Sequence, residues 1–202
     1  MECIQSIMFM SLCFKSSALS PLPDVGDFKA AGCVFTNGKV LLAGYQKEEY
    51  APAINGIGGK RTSSTESYIE TALRETIEEL FGIIAVPPGL LMSLQTRITP
   101  TRIHKTGSYV LVMYSFADLD ILLQEAYATL KSSPVYEKFP RTLSDLILHR
   151  NANYEPRPEI THLCILPVVK DCCIDSQLLD DMLIVNPNLT TSFRSVPDTT
   201  EA

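Results

Sequence analysis

Apolar residues along the chain recur with two different periods. Short apolar or alternating runs, which are typical of strands, occupy residues 30–36, 39–45, 89–98, 108–116 and 160–169. Apolar residues three and four positions apart, which are typical of amphipathic helices, occur within residues 63–82, 118–131, 141–149 and 176–183. Residues 99–107 are polar and predict a loop. The chain is therefore expected to alternate strands with helices over most of its length.

The segment 58–83 is the most informative, because two glycines precede an amphipathic helix that carries a group of acids. At about 100° per residue, Glu75, Glu78 and Glu79 lie on one side of this helix. The opposite side carries the apolar residues Ile69, Leu73, Ile77 and Leu80. This helix can therefore pack on a sheet while its carboxylates point outward together.

Capping residues predict the ends of this helix. Ser63 and Glu66 have the spacing of a capping box. Ser67 and Glu70 have the same spacing, so the helix is expected to begin between residues 63 and 68. Gly82 is expected to end it, because glycine readily adopts the left-handed conformation that follows many helices.

Three carboxylates on one face of a helix repel one another and resist being ionised together. Arg74 offsets only part of this charge. A hard divalent cation bound by oxygen atoms, either Mg²⁺ or Mn²⁺, would remove the conflict. A solvated acidic face on an ordinary helix is the alternative, because charged runs usually serve solubility. The glycine pair ahead of the helix favours the cation site.

The same segment resembles the Nudix box, which combines a glycine, a glutamate, an Arg-Glu pair, a Glu-Glu pair and a closing glycine. The matching residues are Gly59, Glu66, Arg74, Glu75, Glu78, Glu79 and Gly82. Seven residues separate Glu66 from Arg74, as the family requires. Six residues, where the family has five, separate Gly59 from Glu66, and two residues precede Gly82 where the family has one. Thr76 stands where an aliphatic residue is usual.

The resemblance implies a fold, namely a Nudix-type α/β fold in which an α-β-α sandwich contains a mixed β-sheet. It assigns residues 28–190 to the Nudix domain and residues 1–27 to an N-terminal extension. Residues 191–202 are expected to form a disordered tail. Residues 118–150 are expected to be a helical insertion relative to a compact Nudix domain, with a role in either substrate selection or packing.

Two short features belong to the same expected fold. Asn37 and Gly38 join the first two predicted strands and suit a two-residue type I′ hairpin turn. Residues 53–60 resemble the short strand that runs into the glycine turn of the family.

The resemblance also implies an activity and assigns residues to it. The expected activity is Mg²⁺-dependent hydrolysis of a nucleoside diphosphate linked to another moiety, as in a nucleotide sugar, ADP-ribose, a dinucleotide or a nucleoside triphosphate. The expected metal ligands are Glu75, Glu78, Glu79, Glu159 and the Gly59 carbonyl, with Glu155 as the reserve for Glu159. The expected catalytic residues are Glu75, Glu78 and Arg74. The expected substrate-binding residues are Gly58, Lys60, Glu66 and Arg102.

Several of these roles have alternatives. Glu66 is expected to bind either Arg74 or a metal-bound water. Glu159 is either a ligand or an ordinary surface acid. The basic stretch around Arg102 either holds substrate phosphates or is a solvated loop.

Two other functions remain open from the sequence. A Nudix fold with weak catalysis would be a nucleotide-binding or regulatory module, and the altered ends of the box favour this alternative. Removal of an RNA cap would use the same chemistry. The formal net charge of −6 and the pI of about 5.1 make extended nucleic-acid binding less favourable.

The remaining composition bears on location and partners. No apolar run approaches the roughly 20 residues that span a bilayer, so no membrane partner is expected. Six cysteines without a secretory signal predict reduced thiols and a cytoplasmic location. A homodimer is compatible with the sequence, which does not determine the oligomeric state.

Overall fold

The computed structural model describes residues 23–46, 53–154, 159–169 and 176–187. The strands within these ranges are β1 (Ala30–Phe35), β2 (Val40–Gln46), β3 (Ala53–Asn55), β4 (Ile57–Lys60), β5 (Arg102–Thr106), β6 (Tyr109–Tyr114) and β7 (Ile160–Pro167). The helices are α1 (Tyr68–Phe81), α2 (Pro88–Arg97), α3 (Phe116–Leu130), α4 (Leu143–Leu148) and α5 (Ser176–Val185). The fold is therefore a mixed α/β fold, as predicted.

The strands form two sheets. The four-stranded sheet has the order β4-β1-β6-β5, in which β1 and β6 run parallel and the other neighbours run antiparallel. The three-stranded sheet has the order β3-β2-β7 and is antiparallel throughout. The predicted mixed sheet is thus present, and its edge strand β4 carries Gly58 and Gly59.

Helices pack on both faces of the strands, because successive side chains of a strand point to opposite faces. In β1, Cys33 and Phe35 belong to the larger apolar cluster, which also contains residues of α1, α2 and α3. Val34 points the other way, into a smaller cluster with Leu178 and Met182 of α5. This layering holds α1 directly against β1 and β4.

Helix α1 begins and ends where the capping residues predict. Ser67 Oγ accepts the N–H of Glu70 at 3.2 Å, and Glu70 Oε2 accepts the N–H of Ser67 at 2.8 Å. Gly82 follows the helix in the left-handed conformation, with φ 64°. The four apolar residues predicted to face the sheet are buried, namely Ile69, Leu73, Ile77 and Leu80. Their burial fixes the rotation of α1 about its own axis.

Two secondary-structure predictions are wrong in the segment after α1. Residues 89–98 lie almost wholly in helix α2 and not in a strand. Pro88 presets a helical φ in its first turn, and Leu90 and Leu94 share one buried face. Residues 99–107 contain β5, because this polar segment extends the sheet beside β6 as an edge strand with exposed side chains.

The predicted Asn37-Gly38 hairpin also differs from the structure. Strands β1 and β2 are joined through one bridge, from Thr36 to Leu41, and otherwise pair in separate sheets. A type I′ turn requires positive φ at both central residues. Gly38 has φ 83° but Asn37 does not. Asn37 Oδ1 instead accepts the N–H groups of the second and third residues after it.

The helices predicted in the insertion, defined as residues 118–150, are confirmed as α3 and α4. The predicted β7 and α5 are present as well. Residues 1–22 of the expected extension, the expected tail at 191–202 and the reserve ligand Glu155 lie outside the described residues. Among the helices described, none has the length and apolar character needed to cross a membrane.

Candidate active site

An acidic ridge on α1 lies against the glycines of β4. The acidic ridge consists of Glu75, Glu78 and Glu79. A Cβ atom at Gly59 would lie 2.3 Å from Glu75 Oε2, so the carboxylate occupies the space that a side chain would need. A Cβ atom at Gly58 would lie 2.4 Å from the Cα of Gly32 in β1. Gly58 therefore requires glycine because the neighbouring backbone cannot move, whereas a side chain at Gly59 would displace the flexible carboxylate of Glu75.

Arg74 orders the carboxylates around it. Its Nε donates to Glu66 Oε1 at 2.7 Å. Its Nη1 donates to Glu75 Oε1 at 2.8 Å and to Glu78 Oε2 at 3.0 Å. Its Nη2 donates to the carbonyl of Lys60 at 2.8 Å. One guanidinium therefore joins the loop before α1, the acidic ridge and the end of β4, and the expected contact between Arg74 and Glu66 is present.

The pKa values of two neighbouring acids move in opposite directions. Burial opposes ionisation of Glu66, yet hydrogen bonds from Arg74 and Thr62 hold its pKa below the usual value. Burial raises the pKa of Glu78; Arg74 opposes this rise, and the charge of Glu75 adds to it. Arg74 therefore compensates Glu66 more fully than it compensates Glu78.

Glu79 is the most buried carboxylate of α1, with 8% of its surface exposed. Its Oε2 accepts the N–H of Gly58 at 2.9 Å. Burial raises the pKa of Glu79 well above its usual value, although the Gly58 hydrogen bond opposes the rise. The negative charges of Glu159 and Glu75 raise this pKa further. A nearby cation would therefore stabilise the ionised form of Glu79.

Thr76, which departs from the family pattern, points into the core and away from the acidic ridge. It is fully buried beside β1, and within the described part of the chain its hydroxyl has no hydrogen-bond partner. Burial raises the pKa of Cys33 to about 12, so this thiol is neutral at neutral pH. The departure at position 76 therefore lies in the packing beneath α1 and not on the face that carries the carboxylates.

A cleft of about 440 Å³ opens beside the same glycines. Its lining residues are Ala30, Gly58, Gly59, Lys60, Thr106, Tyr109, Asp180 and Asp181. Burial raises the pKa of Tyr109, and the charge of Asp181 adds to the rise, so Tyr109 is a neutral phenol. No local sequence pattern predicts Thr106, Asp180 or Asp181 as site residues, because only the fold brings the end of β5 and part of α5 to the same cleft as β4.

Two of the predicted site residues outside α1, Glu159 and Arg102, lie in different surroundings from each other. Glu159 directly precedes β7, is exposed, and its charge acts on Glu79. Arg102 Nη1 donates to the carbonyl of Ile184 at 2.7 Å. Arg102 is not among the described residues that line the cleft. It begins β5, which is the opposite edge of the sheet from β4, so the fold directs Arg102 to α5 and not to the acidic ridge.

Arg150 is a buried residue beside the site that no local pattern predicts. It lies at the end of the insertion and is 8% exposed. Its guanidinium donates to the carbonyls of Glu79 at 2.7 Å, Leu80 at 2.5 Å and Ile160 at 2.8 Å. It also donates to the hydroxyl of Tyr136 at 3.2 Å. A cation at this end of α1 satisfies helix carbonyls and interacts favourably with the helix dipole.

The donor atoms of the acidic ridge fit a hard divalent cation, because carboxylate and carbonyl oxygens are the ligands that such ions prefer. Burial is the main cause of the raised pKa of Glu79, and the charges of Glu159 and Glu75 add to it, so a bound cation would favour the ionised carboxylate. Among the described residues, no three acidic, histidine or cysteine side chains are already grouped so that they could hold a metal ion. Arg74 and the Gly58 N–H each hold separate carboxylates, so binding would require these side chains to move together.

The candidate active site thus combines the acidic ridge, an arginine that orders it, a glycine strand and an adjoining cleft. The ridge and the arginine belong to α1, whereas the cleft brings together residues between 30 and 181. Comparison with protein-family models and with curated proteins gave no match for this chain.

Proposed function

We propose that this chain is a Nudix-type hydrolase that uses Mg²⁺, or Mn²⁺, to cleave a phosphoric anhydride bond in a nucleoside diphosphate linked to another moiety. One observation carries the proposal, namely the contact between the acidic ridge and the glycine strand. The N–H of Gly58 binds Glu79, and the space that a side chain would need at Gly59 holds Glu75. A glycine backbone can approach phosphate oxygens closely, and the adjoining cleft offers space for the rest of the substrate.

The chain offers distinct residues for the cation and for the phosphates. The cation would be held by Glu75, Glu78, Glu79, Glu159 and the Gly59 carbonyl. When bound, it supplies positive charge that offsets the diphosphate oxygens and helps to activate water. Lys60 lines the cleft at the end of β4, so its ammonium can neutralise further phosphate charge.

Glu75 is the candidate that takes the proton from the attacking water. Arg74 holds Glu75 Oε1 at 2.8 Å and thereby orients the remaining oxygen towards Gly59. A general base must be held within hydrogen-bond reach of the proton that it removes. The same guanidinium also holds Glu78, so Arg74 fixes the relative positions of two ridge carboxylates.

The test compares Glu78→Gln with a matched control, Glu137→Gln. Both substitutions remove one negative charge and keep the side-chain shape, but Glu137 is exposed in the insertion. We expect Glu78→Gln to abolish Mg²⁺-dependent hydrolysis with an unchanged circular dichroism spectrum, and Glu137→Gln to remain active. The panel contains nucleotide sugars, ADP-ribose, dinucleoside polyphosphates, nucleoside triphosphates and capped RNA, each with and without Mg²⁺.

Two results would count against the proposal. Full activity of Glu78→Gln would show that the acidic ridge is not the catalytic site. A wild-type protein that hydrolyses nothing in the panel would contradict the catalytic assignment itself.

A nucleotide-binding module without catalysis is the second candidate, and one observation favours it. Arg74 already engages both Glu75 and Glu78, and the described acids form no ready metal-ligating group. In this case nucleotides would raise the melting temperature, because a ligand that binds the folded state stabilises it. The same nucleotides would remain intact after prolonged incubation with Mg²⁺, as measured by chromatography.

A further inference from the structure

We infer that Arg150 is a positioning residue for the cation-binding carboxylates, an inference that rests on the proposed function. Its guanidinium joins the backbones of two segments, each of which carries a candidate ligand. At the end of α1 it binds the carbonyl of Glu79. At the start of β7 it binds the carbonyl of Ile160, the residue directly after Glu159. One buried side chain therefore sets the distance between Glu79 and Glu159.

The contacts of Arg150 define an orientation as well as a distance. Its Nη2 is shared between the carbonyls of Glu79 and Ile160, at 2.7 and 2.8 Å. Its Nε contacts Ile160 at 3.2 Å, and its Nη1 contacts Leu80 at 2.5 Å. A guanidinium is planar, and its donors point in fixed directions. Movement of β7 relative to α1 would break several of these bonds together.

The insertion supplies Arg150 and holds it in place. The Tyr136 hydroxyl accepts from Arg150 Nη1 and donates to the carbonyl of Leu146 at 2.8 Å. The N–H of Asn151 donates to the carbonyl of Val135 at 2.8 Å. The insertion thus has hydrogen bonds of its own that keep the guanidinium against α1. Its function includes bracing the helix that carries the acidic ridge.

Ser133 provides a matched control on the same end of α1. It is buried in the insertion, and its Oγ donates to the carbonyl of Phe81 at 2.6 Å. Ser133 therefore also ties the insertion to the helix, but within the described part of the chain the hydrogen bonds of its side chain include neither Glu79 nor β7. A general loss of packing between the insertion and α1 would affect Ser133→Ala and Arg150→Lys alike, whereas a positioning role belongs to Arg150 alone.

The experiment measures Mn²⁺ binding to the metal-free full chain by electron paramagnetic resonance of free Mn²⁺. Arg150→Lys keeps the positive charge but loses the planar set of donors. Loss of an outer contact that orients a metal ligand typically weakens metal affinity by about 10- to 100-fold. We expect this increase in Kd for Arg150→Lys, with an unchanged circular dichroism spectrum, and a Kd within about twofold of wild type for Ser133→Ala.

The outcomes separate this inference from the proposed function. A wild-type protein that binds no Mn²⁺ would overturn the proposed cation site, and this inference with it. If Arg150→Lys and the wild-type protein bound Mn²⁺ with the same Kd, that result would overturn the positioning role alone. An equal weakening in Ser133→Ala would do the same, because it would show a general packing effect.

A second measurement applies if Arg150→Lys does not fold. In the wild-type protein, the side-chain Nε–H resonance of Arg150 reports on its hydrogen bond to Ile160. We expect Mg²⁺ to shift this resonance, and Mn²⁺ to broaden it, at concentrations that saturate the site. A resonance that neither ion changes would overturn the inference.

Discussion

Two arginines stabilise helix α1, and the chemical groups that they bind differ. Arg74 is part of the helix and binds the carboxylates of Glu66, Glu75 and Glu78. Arg150 comes from the insertion and binds backbone carbonyls, including that of Glu79 across 71 residues of sequence. The first arginine therefore balances charge along the acidic ridge, whereas the second holds the helix end in position.

The charge balance of the acidic ridge and the position of the helix end therefore depend on different parts of the chain. The carboxylates of the acidic ridge and Arg74 lie within one helix, so their spacing follows from helix geometry. The position of the helix end relative to β7 depends on a side chain that the insertion supplies. Substitutions that change only the charge balance, or only the position of the helix end, can test whether the two are independent.

The largest expected effect is a loss of stability when Arg150 is replaced. Arg150→Ala leaves the buried carbonyls of Glu79, Leu80 and Ile160 without their donor. Each unsatisfied buried acceptor costs about 1–3 kcal/mol, so we expect a loss of about 3 kcal/mol or more in urea unfolding. Arg141→Ala is the control, because Arg141 is exposed on the same insertion and stacks on a tyrosine ring, which is worth about 0.5–1 kcal/mol. Similar losses for both variants would contradict this assignment.

The next effect is on activity at the acidic ridge. Gly59→Ala places a methyl group where Glu75 Oε2 now lies, and the carboxylate must move. A displacement of about 1 Å at a catalytic group can reduce kcat/KM by roughly 100-fold, so we expect a loss of about 10- to 100-fold. Stability should change by less than about 1 kcal/mol, because the end of a flexible side chain can yield. Gly89→Ala, where nothing lies within 4 Å of the new methyl group, should retain full activity.

A smaller effect concerns the charge that Arg74 balances. Arg74→Ala leaves Glu66, Glu75 and Glu78 without their shared donor, and we expect metal-free protein to lose about 1–2 kcal/mol of unfolding free energy. Mg²⁺ should restore part of this loss, because a cation can replace some of the missing positive charge. The measurement is urea unfolding with and without Mg²⁺. If Mg²⁺ restored the unfolding free energy of Arg150→Ala to the same extent, this result would contradict the proposed difference between the two arginines.

The smallest expected effect is a pH dependence at Glu79. Its pKa in the folded state lies well above the reference value of 4.5, so the folded state binds more protons than the unfolded state in the pH range above 4.5. Stability from this group therefore falls as pH rises through that range. Relative to Glu79→Gln, metal-free wild type should lose stability between pH 5 and pH 8, measured as a fall in Tm. A wild-type Tm that rises relative to that of Glu79→Gln as pH rises would contradict this sign.

The local features of the site could be predicted because they depend on residues close in sequence. Ser67 and Glu70 cap α1, and Gly82 ends it, as their spacing predicts. Segments with competing signals were predicted wrongly. Residues 89–98 are apolar enough for a strand, yet Pro88 at the start of the segment favours the helix that forms. The polar β5 gains its strand conformation from pairing with β6, which no local pattern reveals.

The acidic ridge can be read from the amino-acid order, because helical periodicity places Glu75, Glu78 and Glu79 on one face and the apolar residues on the other. The surroundings of the ridge and of its glycine strand depend on the folded packing. The cleft contains Asp180 and Asp181 from α5, and Arg150 holds the helix end, because packing brings together segments that are far apart along the chain. Helix geometry has a fixed period that can be read from the chain, whereas long-range contacts depend on how the folded layers pack.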